Sequence, residues 1–264
     1  FDGEQIDTDA YILDVGDRAN ALGKRTKIKL RFTFDAEYIP SPLYLVCETP
    51  DKFDISVNGG KISKADCGYL RDKAFYKLDI TAQAKIGRNE IIMSCDFEQS
   101  AEVYEMIKNS RIFESEKNKL HYDTEIEGIF LAGKFGVRAN SEFYALDRDA
   151  VRCGGSFTIV APLEKITLRH IEQQGFTFFA GRMTVAKDIE IAGDMPCELA
   201  LEKKGINAIG VRVNGVDAGT LLWNPYTMDI TKYVHPGKNR IELTLVNNLR
   251  NMLGPHHLEE GECY

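Results

Sequence analysis

The chain has 264 residues, with 40 acidic against 33 basic side chains and a formal net charge of −7. That length is enough for two domains of ordinary size, each with its own core. The negative balance speaks against nucleic acid or an anionic membrane surface as partner, since either needs a basic surface field. No run approaches the roughly 18 apolar residues of a membrane-spanning helix. The six cysteines, at 47, 67, 95, 153, 197 and 263, include no C-x-x-C pair. Free, reduced thiols are therefore expected, which favours a cytoplasmic setting over a disulfide framework or a zinc site. The first residues are Phe-Asp-Gly, without Met or a signal-peptide pattern, so the chain reads as a processed protein or as a piece of a longer one.

In chain order, residues 1–24 read as an extension, a remnant of a preceding domain, carrying a strand over Tyr11–Val15. Thr26 to Phe34 alternates, with Ile28, Leu30, Phe32 and Phe34 on one face, the pattern of a half-buried antiparallel strand. Phe53 to Val57 alternates too, and Asn58-Gly59-Gly60 then supplies the positive-φ residues of a tight hairpin. Ser100 to Lys108 breaks the rhythm: a Ser at the N-cap, early acidic residues and apolar Val103, Met106 and Ile107 predict a short helix. Residues 109–119 are polar and read as an exposed loop. Strand character returns over 122–137, and a hairpin is expected around Leu146 to Asp149. In the second half, Ala208 to Val213 runs into Asn214-Gly215, and Pro236-Gly237-Lys238-Asn239 precedes the strand from Arg240 to Leu245.

One phrase occurs twice. The first copy is Val57-Asn58-Gly59, Leu78-Asp79-Ile80-Thr81 and Gly87-Arg88-Asn89. The second is Val213-Asn214-Gly215, Met228-Asp229-Ile230-Thr231 and Gly237-Lys238-Asn239. Asp79 to Asn89 and Asp229 to Asn239 are each 10 positions apart (89 − 79 and 239 − 229). Equal spacing of matched turn residues predicts a duplicated module, and a separation of 150 positions (229 − 79) suits whole domains, not solenoid repeats. The fold expected is all-β: two tandem jelly-roll β-sandwiches with one short helix in the first. The expected boundaries are 25–162 and 163–264.

The second copy, with Trp223-Asn224-Pro225-Tyr226-Thr227-Met228-Asp229-Ile230-Thr231 inside it, resembles the sugar-binding domain of glycoside hydrolase family 2, a jelly-roll of the galactose-binding-domain-like class. The first copy departs from that pattern, with Lys73-Ala74-Phe75-Tyr76 where Pro-Tyr would stand. Glu172-Gln173-Gln174-Gly175-Phe176 and Asn248-Leu249-Arg250-Asn251 through His257 are similar to C-terminal regions of large bacterial putative glycosidases near the α-L-rhamnosidases. The resemblance covers most of residues 26–257. It implies non-catalytic, carbohydrate-binding or accessory modules, with a catalytic domain elsewhere in the parent enzyme and the parent's glycoside substrate as ligand.

Sugar recognition needs an aromatic platform and polar groups that pair with hydroxyls. The only tryptophan, Trp223, stands beside Asn224 and Tyr226 in an expected loop, and Arg250, His256 and His257 form the densest polar cluster. Trp223, Tyr226, Arg250 and His256 are expected in one pocket, with Asn224 and His257 at its rim. The competing expectation is a buried Trp that plugs one end of the sandwich, because tryptophan is usually largely buried. No cofactor is expected; a structural calcium would need convergent carboxylates, for which Asp188, Glu190 and Asp194 are eligible in type only. Glu259, Glu260 and Glu262 read as an acidic tail in solvated disorder. There is no G-x-S-x-G, P-loop or H-E-x-x-H, and no carboxylate pair stands out, so no active site is expected. The alternative is a purely structural pair of sandwiches that orients a catalytic domain or mediates assembly. An intact small glycosidase ranks last.

Overall fold

The computed structural model describes residues 12–146, 151–202 and 206–248, together with the backbone of 257–258 and 261–262. Three α-helices are described, α1 (Ile12–Leu22), α2 (Ala101–Ser110) and α3 (Glu114–Lys117). The strands run β1 (Thr26–Ala36), β2 (Leu43–Cys47), β3 (Asp54–Val57), β4 (Gly60–Lys61), β5 (Tyr69–Leu70), β6 (Asp72–Asp79), β7 (Gly87–Phe97) and β8 (Phe130–Gly133). They continue with β9 (Gly136–Ala139), β10 (Phe143–Ala145), β11 (Val151–Cys153), β12 (Phe157–Val160) and β13 (Gly181–Ile191). The second half adds β14 (Glu198–Ala200), β15 (Ala208–Val213), β16 (Val216–Leu221), β17 (Thr227–Asp229) and β18 (Gly237–Asn247), with a two-residue pair β19 (His257–Leu258) and β20 (Gly261–Glu262). The protein is an all-β sandwich fold, as its strand patterning predicts.

The chain divides into two compact units. Unit 1 comprises residues 1–136 with 157–162, and unit 2 comprises 137–156 with 163–264. Residues 137–156 thus group with the second unit and not with the 25–162 stretch: Val137 N donates to Gly175 O, and Val137 bridges Phe176.

In unit 1 one sheet has the order β4-β3-β7-β1-β12, and the other β5-β6-β2-β8. Strands β1 and β7 pair over their whole length, Thr26 opposite Phe97 and Ala36 opposite Gly87. Between the sheets lie Leu43, Leu45 and Cys47 of β2, Leu78 of β6, Ile55 and Val57 of β3, and Ile91 and Met93 of β7, all buried. On β2 every second residue faces this core, which is the period-2 rule at work. The other face of the same sheet is closed by aromatics. Phe75 and Phe130, on the strands flanking β2, meet edge to face with centroids 5.7 Å apart. Neighbouring strands are about 4.8 Å apart, so the two rings lean over β2, where Val46 is fully buried.

Two sequence expectations fail here. Residues 12–22 form a helix and no strand: Ile12, Val15 and Ala19 fall on one helical face and pack with Ile28, Phe97 and Ile126. Tyr11-Ile12-Leu13-Asp14-Val15 is a short, largely apolar run that does not separate a strand from a helix, and Ala19, the residue that decides, lies beyond it. Residues 109–119 carry the single turn α3, and strand pairing within 122–137 begins only at Phe130, since Ile126 is spent on the α1 core. The helix after Ser100 is as expected, with the Ser100 side chain accepting from Val103 N at 3.4 Å. Strands β10 and β11 pair as the expected hairpin, whose connecting residues lie outside the described set.

In unit 2 the sheet β13-β18-β15-β16 faces the small sheet β14-β17. Ile209, Val211 and Val213 of β15 pack with Leu243 and Leu245 of β18, Leu221 of β16 and Ile230; Leu199 and Met228 cover them from the small sheet.

The repeated phrase builds the same lock twice. Asn58-Gly59 and Asn214-Gly215 have positive φ at both residues and join Val57 to Gly60 and Val213 to Val216, the two-residue turn that suits strand twist. In unit 1 the Asn58 amide donates to Asn89 Oδ1 at 2.9 Å and to Gln83 O at 2.8 Å. In unit 2 Asn214 donates to Asn239 Oδ1 at 2.8 Å and to Tyr233 O at 2.9 Å. Both second asparagines are wholly buried, and each closes its own turn, Asn89 onto Lys85 and Gly87, Asn239 onto His235 and Gly237. Asp-Ile-Thr is a second joint. Thr81 N and Thr231 N each donate to the preceding Asp at 2.8 Å, and the Thr hydroxyls accept from Leu43 N and Cys197 N, tying the end of β6 to the start of β2 and the end of β17 to the start of β14. These residues form the frame, and their side chains are committed within it.

Candidate functional site

The register of unit 2 separates two ends. At the turn end stand Asn214-Gly215, Asp229 to Thr231 and Gly237, next to Ile191 and Glu198. At the opposite end β16 finishes at Leu221, paired with Ile209, and β18 finishes at Asn247, paired with Gly181. The loop 222–226 leaves β16 at this second end.

In that loop Trp223 is 74% exposed. The buried-plug expectation is thereby overturned. The reason is local: β16 ends at Leu221, whose side chain completes the core, and the chain then turns outward through Leu222-Trp223-Asn224-Pro225 before Tyr226 returns to pack on the core cluster. Tyr226 O accepts from Leu201 N at 2.9 Å, which pins the return. Trp223 and Asn224 are exposed and Tyr226 is half-buried, so the loop offers an indole and a carboxamide to solvent while the phenol belongs mainly to the core. Arg250 and His256 lie outside the described residues, as does the His257 side chain.

An apolar cavity of about 180 Å³ opens at the same end, lined by Leu168, Leu201, Ile206 and Leu245 among others. Its edge carries an ion pair, Arg169 Nη2 to Glu202 Oε2 at 2.5 Å, both side chains largely exposed. Gln174 holds the loop that presents Arg169: Oε1 accepts from Thr167 N at 2.8 Å and Nε2 donates to Arg169 O at 2.6 Å. The Glu-Gln-Gln-Gly stretch is therefore a loop brace, with Gly175 at φ 90°. Sequence reasoning missed Arg169 and Glu202, which are 33 positions apart and carry no local pattern.

A second cluster, in unit 1, was not foreseen. Glu48, just after β2, is pushed up to about 7, first by burial, then by a hydrogen bond with Glu125 and the charges of Glu125, Glu127 and Asp72. Glu127 and Tyr122 are raised as well, again first by burial. Glu48 and Glu125 are 77 positions apart (125 − 48) and meet only through the fold. A hydrogen-bonded carboxyl pair shares a proton and is closer than the roughly 5 Å or more that a glycosidase acid and its partner carboxylate require.

Among the described residues no group of three or more candidate ligands gathers to hold a metal ion. Asp188, eligible as a calcium ligand by type, instead receives Lys238 at 2.9 Å and Arg240 at 3.2 Å, which hold its carboxyl below the usual range. Cys47, Cys67, Cys95, Cys153 and Cys197 are free thiols. No described helix is long and apolar enough to cross a membrane.

No protein-family model and no curated protein matches the chain. Similar solved structures include a rhamnosidase from Novosphingobium sp. PP1Y, 18% identical over 87% of this chain and 19% of that one, with a TM-score of 0.28. Another is the Streptomyces avermitilis α-L-rhamnosidase complexed with L-rhamnose, 13% identical over 84% of this chain and 22% of that one, TM-score 0.29. A third is a lectin from Pleurotus ostreatus in complex with GalNAc, 12% identical over 84% and 69%, TM-score 0.22. The chain spans about a fifth of the length of each rhamnosidase. At these TM-scores the fold rests on the strands and registers described above.

Proposed function

We propose that the chain is a pair of non-catalytic, carbohydrate-binding or accessory sandwich modules serving a glycoside hydrolase, with recognition at the Trp223 end of unit 2. The observation that carries this reading is the 74% exposure of the only tryptophan, on a loop whose two ends are fixed by the core. An indole face left in water favours stacking on the C–H face of a sugar ring, which removes apolar area from water on both partners. The exposed Asn224 carboxamide adds a donor and an acceptor for hydroxyls. The resemblance of the Trp223-to-Thr231 stretch to a sugar-binding domain points the same way.

The test is a titration of the whole chain with rhamnose-, galactose- and glucuronate-containing oligosaccharides, followed by Trp223 fluorescence and calorimetry. Saturable quenching that disappears in Trp223→Ala supports the reading; no response at millimolar ligand removes the sugar-binding part. Aryl glycosides are expected to be left intact, and turnover abolished by a single carboxylate substitution would overturn the non-catalytic part. One observation favours the second reading, a purely structural docking module: Leu222, next to Trp223, is 49% exposed. Docking predicts self-association or capture of a catalytic domain that Leu222→Ser weakens while sugars have no effect.

A further inference from the structure

The two units share a frame but not what fills it, and the difference leaves an open cavity. Because Leu43 N and Cys197 N meet equivalent threonines, Thr81 and Thr231, the residues before them correspond: Ile39-Pro40 in unit 1 and Gly193-Asp194 in unit 2. In unit 1 Ile39 packs on the core and Pro40 is buried against Gly133, where a Cβ would lie 3.0 Å from Pro40 Cγ. In unit 2 the corresponding place is a cavity of about 250 Å³ at the turn end, lined by Gly193 to Pro196 together with Thr231, Val234 and His235. The Thr231 hydroxyl is already committed to Cys197, accepting from N at 2.9 Å and donating to O at 3.4 Å.

The side-chain polar groups left are of one kind. Asp194 supplies carboxylate oxygens. His235 has Nδ1 2.9 Å from Pro236 O, and a carbonyl only accepts, so Nδ1 carries the proton and Nε2 of the neutral ring is an acceptor. Pro196, Val234 and Met195 supply apolar wall. Acceptors and an apolar wall in one cavity select a ligand with several O–H donors and a C–H face. The volume lies below the range of drug-sized pockets, which limits the fit to one ring.

We propose that this cleft is a second ligand site, distinct from the Trp223 end, that binds a single sugar ring through Asp194 and His235. It does not depend on recognition at Trp223, and the two have separate reporters at opposite ends of one sandwich.

The experiment titrates the full chain with the methyl glycosides of D-galactose, D-glucose, D-mannose and L-rhamnose, following the assigned His235 imidazole resonance and Trp223 fluorescence together. A saturable shift of His235 is expected with at least one glycoside. Asp194→Asn and Gly193→Leu should each weaken it by about tenfold or more, roughly the loss of one good hydrogen bond or of the space itself. Gly193 suits the blocking variant because a Cβ there meets nothing within 4 Å and its φ lies outside the left-handed region. An unchanged urea midpoint confirms that each variant folds. The proposal is overturned if His235 stays still while Trp223 responds, if no glycoside moves it, if the shift survives Gly193→Leu, or if ethanolamine moves it and glycosides do not.

Discussion

The Asn214 carboxamide donates to Oδ1 of Asn239 at 2.8 Å, and the same contact joins Asn58 to Asn89 at 2.9 Å. In each unit it couples a hairpin turn to the start of a long strand, 25 positions away in unit 2 and 31 in unit 1, and its inner partner has no exposed surface.

Asn239→Ala should destabilise the protein by about 3 kcal/mol, since it strips partners from His235 N, His235 O, Gly237 O and the Asn214 amide in a buried setting. Asn89→Ala should cost a similar amount. Urea unfolding reads this as a lower midpoint at unchanged slope. In the pair Asn214→Ala with Asn239→Ala the losses should fall short of additive, because both substitutions remove the same contact.

Gly59→Ala and Gly215→Ala isolate backbone conformation. Their φ values are 79° and 81°, and a Cβ at either meets nothing within 4 Å. Each should cost about 1 kcal/mol through the left-handed penalty alone. A neutral result would show that the turn relaxes to another type.

The Glu48 cluster sets a pH dependence with a definite sign. The folded state keeps the Glu48 proton to about 7, whereas the unfolded chain releases it near 4.5. Stability from this group is therefore full below about 4.5 and is lost as pH rises through 7. Asp79 works the other way: Thr81 holds its carboxyl low, so its contribution is present above 3.8 and lost as pH falls through the folded value. Urea midpoints measured from pH 4 to pH 8 should fall less steeply in Glu48→Gln than in the parent, and a parallel pair of curves would refute the assignment.

Trp223 should emit at nearly the same wavelength in the native and unfolded protein, because it is already in water. Trp223→Ala should change stability by no more than about 0.5 kcal/mol, as for other surface substitutions. A blue-shifted native emission would place the indole against protein.

Burial pushes the Cys47 and Cys95 thiols up to about 11. Both are then protonated at neutral pH, and Cys47 is also inaccessible. Maleimide labelling followed by peptide mass spectrometry should modify Cys67 and Cys197 in the native state and Cys47 only after unfolding.

Much of the scaffold was legible before any coordinates. Asn-Gly turns, alternating strands and the Asp-Ile-Thr joint are short-range signals, because positive φ, side-chain alternation and a carboxylate capping an amide two residues on are decided by adjacent atoms. Their recurrence at equal spacing marked the duplication, and the Ser100 helix followed from its cap. The Tyr11–Val15 strand failed because a short apolar run was the whole of its support, and the helix face emerges only where Ala19 meets Ile28, Phe97 and Ile126.

What only the tertiary structure decided is where chemistry can happen. Trp223 reads as a core residue from its type, yet Leu221 and Tyr226 take the core positions on either side and turn the indole out. Arg169 with Glu202, Glu48 with Glu125, and Asp194 with His235 are each dozens of positions apart and share no spacing rule. Neighbouring residues determine backbone conformation within a few bonds, so a sequence reveals its frame. A site is built from side chains that meet only after the sheets have paired, so it becomes visible when the register is known.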